Sequence, residues 1–157
     1  MAKSNVYNMD CMELMHTLPD KCFVLSIADP PYQLKKTSVR GAGKLRNRLL
    51  NVSDMSWDVA PGQDFFDELI RVSEHVIIWG GNYFDLPPCR CFVCWDKMQP
   101  WENFSQAEFA WTDFDKPAKV FRHTSRIKGK FHPTAKPIEL YTYLYKTFIQ
   151  GETVRKP

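Results

Sequence analysis

The run Cys22-Phe23-Val24-Leu25-Ser26-Ile27-Ala28 passes without a charged residue straight into Asp29-Pro30-Pro31-Tyr32. A short, continuous apolar stretch of this kind fits a parallel strand covered on both faces, because a strand with one wet face would alternate polar with apolar. A parallel strand needs a crossover, usually helical, before its neighbour, so this run points to an α/β chain.

The flanking segments agree. Val6-Tyr7 reads as a short strand. Asp10, with Glu13 three residues on and Met12, Met15 and Leu18 beyond, reads as a capped amphipathic helix. Phe65, Phe66, Leu69 and Ile70 mark the apolar stripe of a helix of about 12 residues, and His75-Val76-Ile77-Ile78-Trp79 follows as a strand stopped by Gly80-Gly81-Asn82. Phe92–Trp95, Ala107–Trp111 and Lys119–Phe121 are three more strands whose short connections suggest hairpins. Pro137 suits a first helical turn, and Tyr141, Leu144, Tyr145 and Phe148 recur as the buried face of a last helix. The expected fold class is α/β, a mostly parallel sheet with an antiparallel end. Ligands of such sheets bind beyond the carboxyl ends of the strands, which brings the turns Asp29–Tyr32 and Gly80–Asn82 side by side.

At 157 residues, with 44% hydrophobic and 25% charged side chains, the chain suits one folded domain and excludes a disordered one. No apolar stretch approaches the ~20 residues of a membrane span and no secretory h-region opens the chain. Five cysteines, three of them crowded into Cys89-Arg90-Cys91-Phe92-Val93-Cys94, make a poor disulfide framework, lack an obvious fourth zinc ligand and read as packed thiols, so no metal is expected. The expected compartment is the reducing cytoplasm.

The net charge of +3 conceals an uneven distribution. Residues 33 to 50 hold Lys35, Lys36, Arg40, Lys44, Arg46 and Arg48 with no acid, and their glycines suggest a mobile basic loop over 33–56. A second acid-free stretch from Lys116 to Lys130 includes Arg122, Arg126 and Lys128. Two basic patches on one domain are the footprint of a polyanion partner, while either alone could be a solvated loop.

Asp-Pro-Pro-Tyr has its own chemistry. Two prolines fix φ and offer no N–H, leaving the Pro30 carbonyl as a rigidly held acceptor beside the Asp29 carboxylate. That pair can take both protons of an exocyclic amino group while Tyr32 stacks on the ring that carries it, and it can stabilise positive charge developing on the nitrogen. His123 and His132 are given no catalytic part, because direct attack of an amino nitrogen on a sulfonium methyl does not require a strong base.

With these residues in view, the chain resembles the DNA adenine-N6 amino-methyltransferases of the permuted, beta-class order, in which the catalytic motif precedes the cofactor motif. The likeness spans nearly the whole chain. It rests on Asp29-Pro30-Pro31-Tyr32, the upstream Asn8-Met9-Asp10-Cys11, Trp79-Gly80-Gly81-Asn82-Tyr83-Phe84, Trp95-Asp96-Lys97 and His132-Pro133-Thr134-Ala135-Lys136-Pro137. The resemblance implies a Rossmann-like methyltransferase sheet, with Asp29, Pro30, Pro31 and Tyr32 as the catalytic turn on a flipped adenine of double-stranded DNA. It further implies S-adenosylmethionine as cofactor, with Asp10 toward its adenine or ribose end, Asp29 nearby, and Thr134 and Lys136 along its methionine end. Asp10 also suits a plain helix N-cap, and Lys136 a surface lysine; both alternatives stay open.

Such enzymes continue into a glycine-rich Asp-Pro-Phe-x-Gly-Ser-Gly turn. Here Gly151-Glu152-Thr153-Val154 leads only to Arg155-Lys156-Pro157, and Gly41-Ala42-Gly43 sits in the basic loop without the flanking strand and helix that motif needs. The expectation is one methyltransferase domain over 1–157 that lacks its cofactor-motif segment and is weak or inactive alone. A non-catalytic DNA-binding remnant and an RNA or protein-amide methyltransferase are the alternatives. A second consequence is that Val6-Tyr7 moves in beside Phe23–Ala28, or that a second copy or a complementing chain covers that edge.

Overall fold

The computed structural model describes residues 4–33, 58–100, 105–125 and 135–150. Helix α1 (Cys11–Thr17) leads to β1 (Phe23–Ala28); α2 (Gln63–Val72) precedes β2 (Ser73–Trp79) and a single 3-10 turn at Gly81–Tyr83. Strands β3 (Phe92–Asp96), β4 (Ala107–Thr112) and β5 (Lys119–Arg122) follow, then α3 (Ile138–Tyr145), which runs into a π-helical turn at Lys146–Gln150. This is a mixed α/β fold. The basic loop expected to be mobile lies outside the described residues from 34 onward.

The sheet has the order β1-β2-β4-β3-β5. β1 pairs parallel with β2 (Leu25 opposite His75, Ile27 opposite Ile77) and β3 parallel with β5, while β4 runs against both β2 and β3. Four strands therefore share one direction. The antiparallel strand lies inside the sheet, not at its end, and of the expected hairpins only β3–β4 forms. From β4 the chain crosses β3 and places β5 on the far edge of that strand, a placement that a short connection alone does not reveal.

Alternation along the strands assigns the two faces. Ile77, Trp79, Val93, Trp95 and Ala110 pack on one side with Leu140, Leu144 and Phe148; Val76 and Ile78 pack on the other with Met15, Phe66, Leu69 and Val72. Each fully buried side chain of this size contributes about 1.5–3 kcal/mol. Along α3 and the π-helical turn that follows it, the buried stripe is Leu140, Leu144 and Phe148 at four-residue steps. Tyr141 and Tyr145, expected on that face, are one position round the helix and exposed. Pro137 is the N-cap, one residue ahead of the helix, with an extended ψ of 145°.

The N-terminal expectations divide. Asp10 does cap α1, its Oδ1 accepting the Met12 N–H at 2.8 Å. Val6 and Tyr7 form no strand and are 92% and 62% exposed, so the segment has not moved in beside β1. Two valine- and tyrosine-like residues without a packed neighbour gain too little to offset the entropy of pairing. β1 itself is less covered than its apolar run implies, with Phe23 and Val24 exposed, because it forms the sheet edge among the described residues. No described helix is long and apolar enough to cross a membrane.

Candidate active site

The four like-directed strands end on one edge of the sheet. Asp29 follows β1, Gly80 follows β2, Lys97 follows β3 and Arg122 closes β5, while antiparallel β4 begins there with Ala107 and Glu108. Period-2 alternation places Asp29 in phase with Leu25 and Ile27, Lys97 with Val93 and Trp95, and Glu108 with Ala110 and Thr112. All three charged groups thus continue the face that α3 covers. The chain entering α3 brings Lys136 onto them.

Lys136 is the centre of the cluster. Its side chain is 3% exposed, and its ammonium donates to Asp29 Oδ2 at 2.5 Å, lies 3.2 Å from Glu108 Oε2, and sits 5.3 Å from the centre of the Trp79 ring. Lys97 Nζ holds the other Glu108 oxygen, Oε1, at 2.5 Å. Two carboxylates and two ammoniums alternate in a neutral row, which is how buried charges are tolerated. Burial pushes the Glu108 carboxyl up, but the Lys136 charge together with the hydrogen bond and charge of Lys97 outweigh it and hold the group below its ordinary value of 4.5. Glu108 is ionised at neutral pH.

On the other side of Asp29 stands Tyr32. Its hydroxyl donates to Asp29 Oδ1 at 2.7 Å, and burial, that bond and the Asp29 charge together push the phenol far above its usual range, so it remains a donor. The Tyr32 ring stacks on Tyr83 with centroids 5.0 Å apart and meets Phe84 edge-on at 6.1 Å. The two turns expected to be neighbours are in contact. Pro30 and Pro31 between them are half-buried, and the next residue, Gln33, takes a left-handed φ of 54° with its N–H on Asp58 Oδ1 at 2.9 Å. The Tyr141 phenol, raised first by burial and then by the Asp29 and Glu108 charges, overlooks the same cluster.

Gly80 makes the contact between the turns possible. Its φ is +69°, and a Cβ there would stand 2.2 Å from Tyr32 Cε1. Gly80→Ala combines a left-handed alanine, about 1–2 kcal/mol, with displacement of the Tyr32 ring. The expected result is a melting temperature lower by about 2–8 °C and loss of the near-ultraviolet circular dichroism of the Tyr32–Tyr83 stack. An unchanged near-ultraviolet spectrum would show that the ring does not rest on Gly80.

Of the residues singled out in the sequence, Asp29, Tyr32 and Lys136 come together, and the surface-lysine alternative for Lys136 is overturned by its burial. Asp10 is exposed and its carboxylate serves α1. Arg122 is on the same sheet edge, with an exposed side chain whose Nε is 3.4 Å from Asp96 Oδ2. Thr134, Lys35, Lys36, Arg40, Lys44, Arg46, Arg48, Arg126 and Lys128 lie outside the described residues. Glu108 was not anticipated, and Lys97 and Tyr83 carried no assigned part; the available signal was phase, since Glu108 and Lys97 are charges at core-facing positions of their strands.

The described residues fit an amino group on a flat ring better than they fit S-adenosylmethionine. Asp29, Tyr32 and Tyr83 offer an acceptor and an aromatic surface. For the cofactor, Asp10 is committed to a helix cap and Lys136 to two carboxylates. All five cysteines are free thiols, with Cys91 buried and its Sγ 3.6 Å from the Pro117 carbonyl. No family model matches the chain, and no curated protein matches it in sequence.

Proposed function

We propose that this chain carries the target-base site of a site-specific DNA adenine-N6 methyltransferase, built on a Rossmann-like sheet. One observation carries the reading: the Asp29 carboxylate, at the carboxyl end of a parallel strand, is fixed by Tyr32 on one oxygen and Lys136 on the other beside a stacked tyrosine pair. A flipped adenine would give its two amino protons to Asp29 and to the Pro30 carbonyl and lay its ring against Tyr32, which offsets part of the unstacking cost of a few kcal/mol. The negative field of Asp29 would stabilise the positive charge that grows on the nitrogen.

S-adenosylmethionine supplies the electrophilic methyl group in this reading, and double-stranded DNA meets the basic stretches 33–50 and 116–130. A non-catalytic DNA-binding protein is the second reading. A second copy or a complementing chain at the β1 edge belongs to the same proposal. Five free thiols suit the cytoplasm.

The test is transfer of tritium from methyl-labelled S-adenosylmethionine to unmethylated duplex DNA, followed by digestion to nucleosides. Label in N6-methyldeoxyadenosine supports the proposal. Label confined to RNA or to protein overturns it, and duplex binding without calorimetric S-adenosylmethionine binding selects the second reading.

A further inference from the structure

Both oxygens of Asp29 are already hydrogen-bonded, and one of the donors is an ammonium 2.5 Å away. Each oxygen keeps a lone pair for a further donor, but the ammonium blunts the charge on which the proposed task calls. A nitrogen gaining positive charge would meet a carboxylate whose field is largely cancelled by its neighbour, since two opposite charges so close act at longer range as a dipole. For Asp29 to serve an incoming amino group, Lys136 must weaken its hold. Its 3% exposure leaves little water to receive the ammonium.

A second acceptor is in place. Glu108 Oε2 is buried and 3.2 Å from Lys136 Nζ, close enough for an ion pair, yet it makes no hydrogen bond to any described residue. Lys97 fixes the other end of the same carboxylate through Oε1. Glu108 is thereby held with a free lone pair toward the ammonium, and an ammonium carries three donors. A small rotation about the Lys136 side chain exchanges one carboxylate for the other. The four charges remain balanced in either arrangement.

Resting on the ring-binding reading above, we propose that Glu108 is a positioning residue that draws the Lys136 ammonium off Asp29 when an amino-bearing ring arrives. Tyr32 keeps its bond to Asp29 Oδ1, Oδ2 turns to the ring's N–H, and Lys136 completes the bond to Glu108 Oε2. No proton changes hands. The device couples exposure of the Asp29 charge to the presence of an amino group, so a flat ring lacking one would stack without triggering the exchange.

The experiment uses adenosine and purine riboside, which differ in the amino group alone, at millimolar concentration on the whole chain. Nitrogen-15 resonances of the Lys136 ammonium and carbon-13 resonances of the Asp29 and Glu108 carboxylates report the ion pairs; the Tyr32 and Tyr83 ring signals report stacking. With adenosine, the Lys136, Asp29 and Glu108 signals are expected to shift together; with purine riboside, only the ring signals. In Glu108→Gln, affinity for adenosine should fall about tenfold while that for purine riboside stays level, whereas a merely structural Glu108 would weaken both alike. Ring shifts with adenosine while Lys136 stays on Asp29 would overturn the exchange and leave the ring site standing. Absence of ring shifts with either nucleoside would overturn the ring site and the exchange with it. The wild-type measurements decide the matter even if the variant does not fold.

Discussion

Lys136→Met should lower the melting temperature by about 6–12 °C at pH 7, the largest stability effect expected from a single substitution on this edge of the sheet. The methionine fills the same space but leaves Glu108 and Asp29 facing each other without the cation between them. Removing one partner of a buried ion pair typically costs about 3–5 kcal/mol; the partial exposure of Asp29 and the remaining Lys97 bond place the figure near the lower bound of about 3, and each kcal/mol corresponds to about 2–4 °C at this chain length. The pH dependence is a sharper signature. In the wild type the Glu108 carboxyl lies below its ordinary 4.5, so its stabilising contribution is fully present above about pH 4.5 and is lost as pH falls through the lowered value. In the variant, burial is opposed by Lys97 alone, the carboxyl moves up, and acid relieves the penalty by protonating it. The gap between the two melting temperatures should therefore narrow from pH 7 to pH 4. Calorimetric scans over that range check it; equal melting temperatures at pH 7 would show that Lys136 does not compensate these carboxylates.

Asp29→Ala should reduce methyl transfer by about 10²–10³-fold, the usual effect of deleting one preorganised electrostatic contact to a developing charge. Duplex affinity should change less than twofold, because phosphate contacts dominate duplex binding and a carboxylate makes none; in the proposed function the basic stretches would supply them. The fold should survive: Lys136 still has Glu108, and Tyr32 loses a single acceptor near solvent. Single-turnover label transfer at saturating DNA, with duplex affinity measured in parallel, separates the two effects. Wild-type transfer by Asp29→Ala would remove Asp29 from the reaction and with it the proposed function. A parallel loss of DNA affinity would instead place this edge of the sheet among the phosphate contacts.

These two residues illustrate what a sequence of this kind conveys. Asp29 was legible because its chemistry is local: a buried-strand pattern, two prolines and a tyrosine announce a stiff acceptor at a strand end whatever the rest of the chain does. Asp10 as a helix cap, the α2 stripe and β2 were legible for the same reason, each being a short-range preference expressed over a few residues. Val6-Tyr7 and the Tyr141 and Tyr145 face were misread where apolar character stood in for burial. An isolated pair of such residues does not decide its own neighbour, and on a helix one position is 100° of rotation.

The order β1-β2-β4-β3-β5, the crossing of β3 between β4 and β5, and the row Asp29–Lys136–Glu108–Lys97 were decided by the tertiary structure. Asp29 and Lys136 are 107 positions apart, and no periodicity within either segment selects the other. What joins them is the shared parity of three strands that meet one edge, β1 and β3 ending there and β4 beginning, together with the path by which α3 returns across that face. The sequence by itself determined which side chains could carry charge into a core-facing position. Only packing determined that two carboxylates would share one lysine, because a buried charge is stable solely where its counter-charges have been brought within reach.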